Sequence, residues 1–252
     1  MRYVVLSSND NPDYLHYLPI VCHAWNKLGW NTITFYRGKS QPDTFKYIDK
    51  SMNQIWRINE ESTYRDATIV QVSRSFASCL PLNDDDLLMT GDVDMLPCSD
   101  YWNPSINDIT CYGHDLTGFT EYPICYIAMS VANWRKVMNI QINNDVFTKI
   151  TEMLDSQPNA KSDDFYKWWG VDQQYITEKL KTESIYKIDR GHYLGFAKGR
   201  IDRGNWQQTL TNTHYIDAHL LRPAKSTENI LKTKELLINL QMLPDWYDQY
   251  AN

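Results

Sequence analysis

The first ninety residues alternate between short apolar runs and segments whose apolar positions recur at helical spacing, and this alternation leaves few architectures open. Residues 3–7, Tyr3-Val4-Val5-Leu6-Ser7, read as a short buried strand that runs into the polar loop Ser8-Asn9-Asp10-Asn11-Pro12. Leu15, Leu18, Cys22, Trp25 and Leu28 then recur at helical spacing until Gly29 stops the helix. Residues 31–36, with Thr32, Ile33, Thr34 and Phe35, form a second strand, and residues 54–58 a third. Residues 63–80 place Ile69, Val72, Phe76 and Cys79 or Leu80 on one helix face, which Pro81 closes. Leu87-Leu88-Met89 is a fourth, fully apolar strand. Such an order predicts an α/β fold with a Rossmann-like, mainly parallel sheet covered by helices on both faces. Ligands of such sheets collect at the carboxyl ends of the strands.

The second half is less regular. An apolar stretch covers residues 124–131, and helices are predicted from Asn133, over 144–154 and over 171–180. A polar segment, 155–164, and a Trp-rich turn at Trp168-Trp169-Gly170 lie between the last two. Ser226-Thr227-Glu228 reads as the cap of a last helix reaching about Met242, before Pro244. A chain of 252 residues buries one sizeable core, so one domain over 1–252 is expected.

Composition excludes several classes. The net charge is −6 and no stretch is rich in Lys or Arg, which argues against nucleic acid as a partner. Cys22, Cys79, Cys98, Cys111 and Cys125 are odd in number and form no CxxC pair, so neither a zinc site nor a disulfide framework is expected. The apolar run at the start is too short for a signal peptide, and no stretch approaches the roughly 20 apolar residues of a membrane span. A cytoplasmic protein without a membrane span is the expectation. GxGxxG and GxxxxGK[ST] are absent, so any nucleotide is bound by another device. The 17 Tyr and 9 Trp suit the apolar faces of sugar rings, but core packing accounts for them at least as well.

The most informative segment is Thr90-Gly91-Asp92-Val93-Asp94-Met95-Leu96-Pro97. Residues two apart on an extended chain face the same side, roughly 6–7 Å apart. Asp92 and Asp94 are therefore expected to project together from a strand end and to hold Mn²⁺ or Mg²⁺, whose open positions diphosphate oxygens fill. Asp84-Asp85-Asp86 nearby reads instead as a solvated turn.

With this triplet in place, the chain resembles the GT-A glycosyltransferases, and its motif order is similar to that of the retaining glycogenin and galactosyltransferase-like group. The resemblance rests on Ser73-Arg74 ahead of Asp92-Val93-Asp94, on the stretch from Tyr126 to Trp134-Arg135, on Val171-Asp172-Gln173-Gln174, and on His219-Leu220-Leu221-Arg222-Pro223. The Asn-x-Gly of that group is missing, Pro123-Ile124-Cys125 standing in its region, and so is the Gly before its C-terminal Lys-Pro-Trp. The resemblance implies a nucleotide-binding half over 1–100, an acceptor half over 101–225 and a C-terminal helix in 226–252. It implies a nucleotide-sugar donor, UDP-sugar favoured, and a carbohydrate or other hydroxyl acceptor. Asp92 and Asp94 would hold the metal, with His219 as third ligand and His214 as the competing choice.

Arg74 would approach the donor sugar or its phosphate, the alternative being a surface ion pair. Ser7, Ser8 and Asn9 would meet the base, or serve only as a turn. Asp172 and Gln173 would lie beside the anomeric carbon. In a retaining enzyme Asp172 binds sugar hydroxyls and Gln173 faces the reacting carbon; in an inverting one Asp172 is the base. Its position at a helix N-terminus also suits the helix dipole alone. Candidate acceptor residues are His114, Asp115, Tyr122, Trp168, Trp169 and Trp206. The charged residues of 189–193, with Arg200, Asp202 and Arg203, either screen a diphosphate or pair locally, and local pairing is the simpler reading. A metal-dependent phosphoesterase or nucleotidyltransferase, and a non-catalytic glycan-binding domain, are the rival classes.

Overall fold

The computed structural model describes residues 1–113, 120–188, 199–204, 206 and 215–251. Strand β1 (Arg2–Asn9) leads into helices α1 (Pro12–Leu15) and α2 (Leu18–Lys27), followed by β2 (Asn31–Arg37) and β3 (Asn53–Arg57). Helix α3 (Asp66–Ser73) tightens into a 3₁₀ turn, Arg74–Cys79, before β4 (Leu87–Thr90), β5 (Met95–Pro97) and β6 (Ile109–Tyr112). Strand β7 (Ile127–Ser130) runs straight into α4 (Val131–Met138). Helices α5 (Val146–Ser156), α6 (Phe165–Trp169) and α7 (Val171–Leu180) precede β8 (Ile185–Ile188). The short strands β9 (Arg200–Ile201) and β10 (Asp217–His219) and the helices α8 (Thr227–Asn239) and α9 (Tyr247–Ala251) follow.

Seven strands form one sheet in the order β3-β2-β1-β4-β7-β6-β8. Its pairs are parallel except those of β7, which runs antiparallel to both β4 and β6. The predicted α/β architecture, mainly parallel with helices on both faces, is the one observed. Alternation along the strands divides the core into two layers. Val4 and Leu6 of β1, with Leu87 and Met89 of β4, pack on the face covered by α2 and α8. Tyr3, Val5 and Leu88 point the other way, into the layer closed by α3, α4, α5 and α7. Trp134 and Arg135 belong to this architecture. Trp134 Nε1 donates to the Leu88 carbonyl (3.1 Å), and Arg135 donates to the carbonyls of Ser78, Leu80 and Leu82 (3.0, 3.2 and 3.1 Å). Among the described residues no helix is long and apolar enough to cross a membrane.

Several local expectations are corrected. Strand β1 does not stop at Ser7: Ser8 and Asn9 stay in register with Tyr36 and Arg37. The helix expected across 15–28 is two helices. Pro19 sits in the first turn of α2, where its missing N–H is harmless; in an unbroken helix its ring would strike the Leu15 carbonyl. The helix expected over 63–80 starts at Asp66 and tightens at Arg74. There Ser73 Oγ donates to the Val70 carbonyl (2.6 Å) and Arg74 Nε to that of Gln71 (3.0 Å), competing with the main-chain ladder. The last long helix ends at Asn239 rather than near 242, and its Ser226 cap accepts from Asn229 N–H as expected (3.2 Å). Strands β6 and β8, and a second sheet in the order β5-β10-β9, were not foreseen.

Candidate active site

A cavity of about 510 Å³ opens at the carboxyl ends of β1 and β4, and it gathers the candidate nucleotide, metal and catalytic residues Ser7, Ser8, Asn9, Arg74, Asp92, Val93, Asp94, Asp172, Gln173 and His219. Ser7, Ser8 and Asn9 at the end of β1 form one wall, with Tyr14 of α1 beside them. Arg74, Asp92, Val93 and Asp94 form the floor, and Asp172 and Gln173, in the first turn of α7, line it beside Arg74. His219, Arg203 and Arg222 complete the wall nearest Asp94. His214, His114, Asp115 and residues 189–193 lie outside the described residues.

Gly91 allows the floor to form. A Cβ at this position would stand 2.7 Å from Val4 Cγ1, so any side chain here would push β4 off β1. The next residues are bent rather than extended. Met95 N–H donates to the Asp92 carbonyl (3.1 Å), closing a turn over the triplet. Asp92 and Asp94 both line the cavity, each with partners of its own. Asp92 pairs with Arg74, whereas Asp94 Oδ2 receives Arg203 (2.6 Å) and Arg222 (2.7 Å).

Arg74 is a buried connector, not a surface ion pair. It is 5% exposed and spans two carboxylates: Nη1 on Asp92 and the Gly91 carbonyl (3.1 Å), Nη2 on Asp172 (3.0 Å). Burial opposes its charge, but Asp92 and Asp172 outweigh burial and raise its pKa. Burial likewise raises the pKa of Asp172, against the pull of Arg74 and of the Gln173 N–H. Asp94 is as deeply buried, yet its hydrogen bond to His219 and the charges of Arg222 and Arg203 overcome that burial and hold its carboxyl well below the usual range.

His219 reaches this point through the second sheet. Strand β10 pairs antiparallel with β5, placing His219 opposite Met95, and Leu220 N–H closes on the Asp94 carbonyl (2.8 Å). Its Nε2 lies 3.4 Å from Asp94 Oδ2 and its Nδ1 3.1 Å from Asp202 Oδ1. Two donor atoms at that separation can share one ion, since octahedral ligands at roughly 2.1 Å stand roughly 3 Å apart. Asp92, in contact with Arg74, would have to exchange that partner to join them. Among the described residues no three His, Cys, Asp or Glu side chains already converge on one point. The charge balance favours a cation all the same. Asp92, Asp94 and Asp172 are offset by Arg74, Arg203 and Arg222, so a diphosphate entering the cavity brings charge that these six groups do not neutralise. Asp94 and His219 could hold a divalent ion if Asp94 Oδ2 gave up Arg203 and Arg222, and Asp92 could join them on leaving Arg74.

The sequence did not reveal the Arg203 and Arg222 contacts with Asp94, which join segments more than a hundred residues apart. Local pairing holds for Arg200, whose fork meets Asp217 (3.1 and 3.2 Å), but not for Arg203. Tyr14, beneath Arg222 at 4.2 Å, carried no sequence signal either. Of the acceptor candidates, Trp169 lines the cavity together with Phe165. Trp206 is buried outside the cavity lining and donates to the His219 carbonyl (2.9 Å), bracing the strand that carries His219. Trp168 stacks with Arg65 and Tyr122 with Lys187 (5.2 and 5.4 Å).

The sheet order, the switch at β7 and the cavity at the strand ends define a GT-A-like glycosyltransferase fold. The chain superposes on the galactosyltransferase LgtC in complex with donor and acceptor sugar analogues, with a TM-score of 0.53 at 12% identity over 98% of this chain and 99% of that one. An active-site Gln-to-Glu mutant of LgtC gives 0.55 at the same identity and coverage. The glycosyltransferase GlyE of Streptococcus pneumoniae TIGR4 gives 0.52 at 9% identity, over all of this chain and 65% of that one. No protein-family model and no curated protein matches the sequence.

Proposed function

We propose that this chain transfers a sugar from a nucleotide-sugar donor, UDP-sugar favoured, to a hydroxyl of a carbohydrate acceptor. The observation that carries this reading is the cavity at the strand ends of a fold shared with LgtC, in which Asp92, Asp94, His219, Arg74, Asp172 and Gln173 meet from four separate stretches of chain. Ser7, Ser8 and Asn9 hold the base, and the diphosphate lies over the floor beside Asp94. Asp94 and His219, joined by Asp92, would hold a Mn²⁺ or Mg²⁺ ion, which would supply Lewis-acid neutralisation of the leaving diphosphate. Arg203 and Arg222, which share Asp94 Oδ2, are placed to donate to phosphate oxygens as well.

Retention of configuration is the better supported outcome. An inverting base must meet the acceptor hydroxyl, but the Asp172 side chain is 1% exposed, with its oxygens bound by Arg74, Gln71 and the Gln173 N–H. Asp172 therefore orients, and Gln173, next to it on the cavity wall, faces the reacting carbon. LgtC carries a glutamine in its own active site, as its Gln-to-Glu mutant records.

UDP with Mn²⁺ is expected to raise the melting temperature, and Asp94→Asn to abolish the rise. A panel of nucleotides that leaves the wild-type melting temperature unchanged, with and without Mn²⁺, overturns the reading.

A further inference from the structure

Gln173 does not stand alone on its wall. Its Nε2 donates to Glu121 Oε2 at 2.6 Å, across 52 positions of sequence. The segment carrying Glu121 is pinned to the helix that carries Gln173, because Tyr122 N–H donates to Thr177 Oγ1 of α7 at 2.9 Å. Two independent bonds therefore hold the carboxylate and the carboxamide together.

The chemistry of the pair is asymmetric. A carboxamide has a donor end and an acceptor end that nearly superimpose on rotation by half a turn. An ionised carboxylate accepts and never donates, so it binds only the NH₂ end. Gln173 is thereby left with its carbonyl oxygen as the end available to a ligand in the cavity.

We propose that Glu121 is a positioning residue that fixes the Gln173 carboxamide with its carbonyl oxygen toward the sugar carbon from which the nucleotide departs. The inference rests on the transferase reading above. As the bond from that carbon to the phosphate oxygen lengthens, its electron pair leaves with the diphosphate and positive charge grows on the carbon. A carbonyl dipole aimed at that carbon stabilises the charge, whereas an NH₂ group in the same place opposes it. Glu121 acts only through Gln173 and touches no substrate.

Steady-state kinetics on the full chain separate this role from a merely structural one. Glu121→Gln offers Gln173 both a donor and an acceptor and so no longer dictates its orientation. It is expected to lower kcat about ten-fold while the donor KM stays within about two-fold, with Glu121→Asp between it and wild type. Gln173→Glu alone brings two carboxylates together at the position of this bond and is expected to lower kcat further. Adding Glu121→Gln to that variant should recover at least about ten-fold, because the amide and the carboxylate have then exchanged places. The side-chain NH₂ signals of Gln173 in the nitrogen–proton spectrum, assigned by their loss in Gln173→Ala, report the pair without turnover and should shift in Glu121→Gln.

Wild-type kcat in Glu121→Gln, or Gln173 signals that ignore the substitution, overturns the positioning role and leaves the transferase reading standing. A wild-type chain that turns over no nucleotide-sugar overturns the transferase reading itself and this role with it, whereas the spectrum still reports whether the pair exists.

Discussion

Arg74→Met tests whether the buried guanidinium is what ties the Asp92-Val93-Asp94 triplet to α7. The substitution keeps most of the side-chain length and removes the charge. It strands the Asp172 carboxylate, whose side chain is 1% exposed, and releases Asp92, whose side chain is 35% exposed. Removing one partner of a buried pair costs about 3–5 kcal/mol. Asp92 can turn to water, so its half is worth no more than about 1 kcal/mol. Asp172 keeps bonds from Gln71 Nε2 (3.1 Å) and Gln173 N–H (2.8 Å), which places its loss at the low end of the range. The expected total is about 3 kcal/mol, a fall in Tm of about 6–12 °C for a chain of this size.

The sign of the pH dependence follows from Asp172. Its pKa is raised in the folded protein by burial, from an ordinary value of 3.8, so the native state holds its proton more tightly than the unfolded state. Stability from this group is fully present below the unfolded pKa and is lost as pH rises through the folded one. Without Arg74 the folded pKa climbs further, so the deficit of Arg74→Met is largest near neutral pH and shrinks on acidification. Thermal melts of wild type, Arg74→Met and the double variant Arg74→Met/Asp172→Asn at about pH 7.5 and about pH 5 read all of this. The double variant should regain at least about half of the loss, since the stranded charge is gone. A single variant as stable as wild type at both pH values, or a deficit that grows on acidification, refutes the reasoning.

Two further outcomes are expected. Gly91→Ala meets Val4 Cγ1 at 2.7 Å and should cost about 1–3 kcal/mol in a denaturant titration while also lowering nucleotide affinity, because the turn bearing Asp92 and Asp94 follows directly. Trp169→Ala should leave Tm nearly unchanged, since α6 contributes no buried residue, yet raise the acceptor KM several-fold in a transfer assay by removing an aromatic face of the cavity.

The sequence made the sheet half of the fold legible because periodicity there is long enough to read. Strands β1 to β4 and helix α7 lie where apolar spacing puts them, and Ser226 caps the helix it was expected to cap. Periodicity fails where elements are brief: β5, β9 and β10 span two or three residues each and offer no pattern. Much of the candidate site was legible for a different reason, since Asp92-Val93-Asp94 and Asp172-Gln173 are compact and follow or open recognisable elements. What stayed hidden was pairing. Nothing local in Arg203, Arg222 or Glu121 shows that their partners are Asp94, Asp94 and Gln173, because those contacts exist only after the sheet order has folded the chain back on itself.

The antiparallel pairing of β5 with β10 has a consequence for how the cavity comes into being. Residues 95–97 emerge from the ribosome well before residues 217–219, so the half of the site around Asp94 has to wait for more than a hundred further residues. Until then that carboxylate lacks His219 and both of its arginines, and it stays hydrated because the segment that covers it has not been made. Completion of the cavity is thereby a late event of synthesis, set by the order of its strands.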